Sequence, residues 1–374
     1  MRPLISTDYH IAPPPSLVDE LPESFRTQFP RLETRADGAY LVYADPPGRA
    51  DAMTAVTPAV KVEDEQQLAR LAVRNVCDEA VPGFTAESQL AEMAREGVEA
   101  AVLIGRFAVF PSTEGIDAEI AYCQLVNDWL ADTYRDHLDR FAPAIHLPFN
   151  DVAASVRELE RAAGLGLRPA LLPDGIFERP YFLDEWEPLW EAADSLKVPL
   201  TLHVGGLRAR LNTDPAVIAF PGYAPTGWYL MSAGMGETLA WFAYSGLFEK
   251  YPNLQVVMTE GYAGWLAFAI QFFDHHWDGR FEKLAFTPKR PLQAPPGYYI
   301  RRQAKATFMW DPVAIANREF TGIECLMWGN DYPHEEGSFP HSQEWVSKQF
   351  AGIPEADIER MVRGNARDVF GFTY

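Results

Sequence analysis

The chain has 374 residues, 48% of them hydrophobic, and a formal net charge of −20. That acidity excludes nucleic acid and an anionic membrane as partners, because both would repel it. Three scattered cysteines (Cys77, Cys123, Cys325) with no CxxC pair exclude a disulfide framework or a cysteine zinc knuckle.

The N-terminus MRPLISTDYH has no signal-peptide apolar region. No run reaches the roughly 18 apolar residues of a membrane helix. A cytoplasmic protein is therefore expected. The length suits one α/β barrel domain over residues 1–374 as well as it suits two smaller domains.

In chain order, Leu4–Thr7 reads as a strand that delivers Asp8 and His10 at its end. Side chains alternate along a strand, so these two face the same way and can share one metal. Residues 11 to about 84, rich in proline and charge, break the pattern and read as an ordered insertion. Within it, Arg31–Arg35 and Ala39–Tyr43 flank the hairpin signal Asp37-Gly38. Strand–helix units follow. Strands are expected at Ala100–Gly105, Phe141–Leu147, Arg168–Leu172, Pro199–Val204, Gln255–Thr259, Ala306–Met309 and Cys325–Trp328. Helices are expected between them, at Ala86–Glu96, Asp117–His137, Val152–Ala163, Trp186–Leu196, Leu239–Lys250, Gly264–Trp277 and Pro312–Phe320, with Ile358–Asp368 last. Near-continuous apolar strands are what burial on both faces requires. With Leu4–Thr7 the count is eight, which predicts a (β/α)8 TIM barrel with an N-terminal insertion after the first strand.

In that fold, reactive groups sit at the C-terminal ends of strands. The strand ends here carry Asp8 and His10, Arg106, His146, His203, Glu260 and Asp331, with His334 three residues further on. Two histidines and two carboxylates (Asp8, His10, His203, Asp331) at one mouth form a site for a divalent ion, zinc before manganese or iron. The stretch Cys325–His341 is the densest part, since one strand end delivers Asp331, His334, Glu335, Glu336 and His341. Asp331, His334 and Glu260 are the candidate acid/base groups. Arg106 and Arg208 are candidates to hold a substrate carboxylate. His146, Tyr332 and Trp265 are the remaining candidate substrate contacts.

The segments STDYH at 6–10, LHVGG at 202–206, TEGYAGW at 259–265, GNDYPHEEGSFP at 329–340 and GNARDVFG at 364–371 resemble a known family. It is the amidohydrolase-related branch that includes aminocarboxymuconate-semialdehyde decarboxylase, within the metal-dependent hydrolase superfamily. The resemblance runs over nearly the whole chain. It implies a barrel with a catalytic divalent metal, with Asp8 and His10 matching the first-strand pair, His203 the fifth-strand histidine and Asp331 the last-strand aspartate. It also implies association into a homodimer or larger assembly. Glu260 departs from the pattern, because the decarboxylases carry a histidine there, and the fourth strand lacks a bridging lysine. These departures imply one tightly bound metal, with Glu260 either free as an acid/base or recruiting a second ion.

Two reactions on a small-molecule substrate follow. The first expectation is hydrolysis of an amide, ester, lactone or thioester by metal-activated water, with Asp331 as base. The alternative is non-oxidative decarboxylation of an aromatic or unsaturated acid, with Asp331 or a nearby histidine protonating the carbon that loses carbon dioxide.

Overall fold

The computed structural model describes residues 1–42, 59–105, 115–176, 179–204, 223–277 and 291–373. Twelve strands are present among them: β1 (Leu4–Ile11), β2 (Arg31–Arg35), β3 (Gly38–Val42), β4 (Ala59–Val62), β5 (Val98–Gly105), β6 (Phe141–Pro143), β7 (Ile145–His146), β8 (Ala170–Pro173), β9 (Leu200–His203), β10 (Val256–Thr259), β11 (Ala304–Phe308) and β12 (Leu326–Trp328). All eight expected strands of the repeating units are there, the third divided into β6 and β7.

They form two parallel sheets, β1-β5-β6 and β12-β11-β10-β9-β8-β7. Among the described residues their ladders do not close into a ring, so the expected barrel is present as a parallel α/β fold. The division falls at Ala144, where the chain changes partners. Its N–H still bonds Leu103 O (2.9 Å), whereas Ile145 N–H turns to Pro169 O (2.6 Å). At the other junction, Thr7 Oγ1 donates to Trp328 O (2.9 Å) and Asp331 N–H to Asp8 O (3.0 Å).

Alternation along the strands divides the apolar residues into two cores. Ile5, Val102, Ile104, Leu171, Val257 and Met327 pack together, although they come from strands remote from one another in the two sheets. Side chains from so many strands can meet only if the sheets curve about a shared interior. Leu4, Leu103, Leu172, Leu202 and Trp328 instead face the surrounding helices, in a larger cluster with Trp186, Trp190 and Phe248. Phe370 and Phe372 cover the inner core from the C-terminal helix. No helix of the described residues is long and apolar enough to cross a membrane.

Between β1 and β5, the antiparallel sheet β2-β3-β4 and the helix Glu65–Val73 are described. The hairpin pairs Arg35 with Gly38, as its turn residues predict, while β4 had no sequence signal of its own. This region reaches the strand ends. Cys77 N–H donates to Pro333 O and Glu335 N–H to Asn75 O, both 2.9 Å, so residues 75–77 clamp the loop after β12.

Candidate metal centre

The ends of β1, β9, β10 and β12 bring five titratable residues into one buried cluster: Asp8, His10, His203, Glu260 and Asp331. His10 Nε2 lies 3.3 Å from Asp8 Oδ1, 3.1 Å from Asp331 Oδ1 and 3.3 Å from His203 Nε2. His203 Nε2 is 3.5 Å from Asp8 Oδ1 and 3.2 Å from Glu260 Oε2. Asp8, His10, His203 and Glu260 each offer a ligand atom, all within 4.8 Å of one another. Three of the four expected ligands thus converge with Glu260, and Asp331 joins them through His10.

Two details decide whether these residues suit a cation. His203 Nδ1 is 2.7 Å from Val204 O. A carbonyl can only accept, so Nδ1 carries the proton and Nε2 keeps its lone pair for the cluster. Asp331 Oδ2 is buried without a hydrogen-bond partner, and Asp8 Oδ1 has only the long contacts to His10 and His203. Carboxylate oxygens left this way inside a protein are costly, and a divalent ion supplies the missing partner.

Without a cation the histidines carry the compensating charge. Burial pulls His10 down, but its bonds to Asp331 and Asp8 outweigh this and raise it to about 10. His203 is raised for the same reason, chiefly by Asp8 against the opposing effect of burial. Burial pushes Asp8 and Asp331 up, yet their imidazole partners hold both below the usual carboxylate range. Glu260 lacks that compensation, and burial together with the charge of Asp331 pushes it well above that range.

The backbone around the cluster is specialised. Glu260 (φ 64°), Tyr262 (φ 55°) and Asp331 (φ 54°) are left-handed, a conformation that costs non-glycine residues energy and recurs at functional sites. Several contacts hold the turn after β10. Glu260 N–H donates to Thr307 Oγ1 (2.9 Å), and Asp311 Oδ2 accepts from Ala263 N–H (2.8 Å) and Gly264 N–H (2.7 Å). Gly329 lets β12 approach β1, since a Cβ there would stand 2.9 Å from Asp8 Cβ.

His334 is half-buried, stacks on His10 with ring centroids 4.0 Å apart, and places Nδ1 3.1 Å from Asp331 Oδ1. Glu336 also approaches the cluster, offering a carboxylate oxygen within 4.8 Å of Glu260 and Asp331. The signal for it was only its place in the dense stretch after β12.

The expectation for Tyr332 needs correction. Tyr332 is not a pocket wall. It is fully buried, stacked on Tyr9 (4.5 Å), with its hydroxyl donating to Glu92 Oε2 (3.2 Å). The left-handed turn at Asp331 sends the next side chain outward to the helix Ala86–Glu96. Trp265 braces the β10 turn, its indole N–H shared between Gly261 O (2.9 Å) and Tyr262 O (3.0 Å). His146 is buried at the end of β7, and burial lowers it to about 4, so it is neutral. Its backbone is gripped by Asn127, which donates to His146 O (2.9 Å) and accepts from His146 N–H (2.8 Å). Arg106 and Arg208 lie outside the described residues.

The amidohydrolase family model matches residues 7–372, nearly the entire chain. The chain belongs to the amidohydrolase family. The chain is 29% identical over 260 residues to gamma-resorcylate decarboxylase of Polaromonas sp. (strain JS666), covering 65% of this chain and 74% of the relative. It is 23% identical over 290 residues to 2-amino-3-carboxymuconate-6-semialdehyde decarboxylase of Dictyostelium discoideum, covering 76% of each. Among solved structures it resembles dihydroxybenzoic acid decarboxylase from Polaromonas sp. JS666, which holds manganese and the inhibitor 2-nitroresorcinol. There the TM-score is 0.65 at 20% identity, over 99% of this chain and 97% of the other. Hydrolysis, the first expectation from the sequence, is overturned by these comparisons, because the relatives are decarboxylases. The protein is an enzyme of the amidohydrolase superfamily, and its buried donor set suits a divalent metal without singling out zinc.

Proposed function

We propose that this protein is a metal-dependent, non-oxidative decarboxylase of an aromatic or unsaturated carboxylic acid. The observation that carries this reading is the Asp331–His334 pair set beside the Asp8–His10–His203 cluster, a proton-handling couple next to a cation site. The relatives' activities on gamma-resorcylate and on aminocarboxymuconate semialdehyde support the same reaction type.

In this reading Asp8, His10, His203 and Asp331 hold the ion, with Glu260 beside them. The manganese of the structural neighbour favours that metal over zinc. A divalent ion held there would supply positive charge to bind a carboxylate substrate and to draw off the negative charge that develops as the bond to the carboxylate breaks. Asp331, oriented by His334, delivers the proton to the carbon whose bond to the carboxylate breaks, and carbon dioxide leaves. The imidazoles of His334 and His10 hold Asp331 below the usual carboxylate range, so it is ionised at rest and takes up the proton it delivers through its contact with His334.

The same reading makes the two parallel sheets one (β/α)8 barrel in a single domain of residues 1–374. The hydrogen bonds at both junctions support this, and residues of about 11–84 form an insertion beside the site. Self-association belongs to the reading as well. Phe268 and Phe272 are exposed on one helix with ring centroids 5.8 Å apart, an apolar surface suited to a second copy.

The test is an assay of the manganese-loaded protein against dihydroxybenzoates and carboxymuconate-type acids, run in deuterated water. Carbon dioxide release with one deuterium placed on the vacated carbon is expected. Absence of release from every acid in the set, with the metal demonstrably bound, would overturn the proposal.

A further inference from the structure

Glu96 ends the helix Ala86–Glu96 and is only 2% exposed, yet the chemistry described above makes no use of it. Its hydrogen-bond partners are all neutral donors. Oε1 accepts from Ser342 N–H (2.9 Å), and Oε2 accepts from Ser342 Oγ–H (2.6 Å) and Asn330 Nδ2–H (3.3 Å). Its backbone carbonyl accepts from Gln343 Nε2–H (2.7 Å), so the residue is held at both ends. Burying a carboxylate without a cation beside it is costly. One helical turn earlier, Glu92 accepts from the Tyr332 hydroxyl (3.2 Å). This one helix therefore grips residues 330 and 332, on either side of Asp331.

Asn330 is buried with every polar group engaged. Its N–H donates to Ser6 Oγ (3.1 Å), and its carbonyl accepts from Ser338 N–H (2.9 Å). Its Oδ1 accepts from Ser6 Oγ–H (2.7 Å) and from Tyr332 N–H (3.4 Å). That last bond reaches across Asp331 and closes a side-chain turn that imitates a backbone turn. Asp331 is the residue enclosed, and it is left-handed at φ 54°. Only the NH2 end of an amide can donate to a carboxylate that accepts. Glu96 thus decides which way the Asn330 amide points, and it leaves Oδ1 free to close the turn. Ser6 Oγ also lies 2.7 Å from Asp8 O, so the same chain of groups reaches the end of β1.

We propose that Glu96 is the positioning residue for Asp331: by fixing the Asn330 amide, it sets the turn that aims the Asp331 carboxylate into the cluster. The inference rests on the metal-dependent reading, in which Asp331 helps to hold the ion. Glu96 touches neither ion nor substrate and acts through Asn330. Glu96→Gln puts an amide where the carboxylate stood. Its oxygen can still accept from Ser342 N–H, but its NH2 group meets the NH2 group of Asn330. The Asn330 amide must then turn over, and the bond across Asp331 is lost. Adding Asn330→Asp restores the match at the wild-type net charge. The new carboxylate accepts from the new amide and still accepts from Ser6 and Tyr332.

The test is the manganese affinity of metal-free protein by calorimetry, with melting temperature measured alongside. E96Q should lose about 10–100-fold in affinity, and E96Q/N330D should recover most of it. Ser342→Ala removes one donor to Glu96 and leaves the Asn330 link. It should lower the melting temperature without changing the affinity. Wild-type affinity in E96Q, or a loss that N330D does not reverse, overturns the proposal and leaves the metal-dependent reading standing. So does an affinity that falls with the melting temperature in S342A, since stability alone would then set it. Wild-type protein that binds no manganese overturns both. If E96Q does not fold, Asn330→Ala cuts the same link from the other end, and unchanged affinity there overturns the proposal.

Discussion

Asp331 joins three demands in one residue. It is left-handed at φ 54°, fully buried, and shared by His10 and His334. Asn tolerates left-handed backbone better than most residues, so Asp331→Asn keeps the shape and removes the charge. Activity should fall by about 10²–10⁴-fold, with folding intact by circular dichroism. Unfolding would instead make Asp331 a structural residue. His334→Gln separates proton delivery from metal holding. It should lower kcat by about 10²-fold or more, while metal content stays at the wild-type level. Loss of the metal in that variant would place His334 among the ligands. At this scale the sequence was informative where a residue type and a strand end coincided, as for Asp8, His10, His203 and Asp331. It misled at Tyr332 because alternation along a strand ends with the strand. The positive φ at Asp331 then sets the next side chain's direction, and no local pattern announces it. Glu336 was illegible for the same reason, since a turn several residues long decides where it ends.

The elements around the site show how little contact precision depends on. Asp311 sits at the start of the helix Pro312–Ala316, where its Oδ1 accepts from Ala314 N–H at 2.9 Å as an N-cap. Its other oxygen holds two amides of the neighbouring turn that follows Glu260. Asp311→Ala removes a cap and leaves two amides unpaired, a loss of about 2–3 kcal/mol. A lowered melting temperature should accompany weaker metal binding, because the Glu260 turn is no longer held. If the melting temperature falls while metal affinity is unchanged, the turn is held by other contacts. Strands were legible as apolar runs, which burial on both faces demands. Helix boundaries were less so. The expected helix Leu239–Lys250 is two elements, Tyr223–Tyr244 and Leu247–Lys250, separated at Gly246 (φ 78°). The long helix starts well before its expected beginning, through Pro225, Gly227, Gly234 and Gly236, although glycine and proline are the poorest helix formers. The Pro296–Gln303 helix hid behind the prolines at its start.

For the whole molecule, charge compensation links the site to stability. In the metal-free protein His10 is raised from 6.5 to about 10 by Asp331 and Asp8. The stability this contributes is complete below about pH 6.5 and is lost as pH rises through about 10. Metal binding needs the neutral imidazole, so protons compete with it at low pH. The rise in melting temperature on adding manganese should therefore be larger near pH 9 than near pH 6. Thermal melts with and without chelator test this, and an equal rise at both pH values would remove His10 from the ligand set. The proposed ligands lie far apart in the sequence. Asp8 and His10 lie on the first strand and Asp331 follows the last, joined by the Asp331 N–H to Asp8 O bond. On a ribosome, about 320 residues separate synthesis of the two ends of the site, roughly 15–65 s at usual elongation rates. The nascent chain exposes an incomplete, acidic half-site throughout that interval. In the proposed reading, the metal site is therefore complete only once Asp331 has been synthesised, which makes metal acquisition one of the last events in maturation.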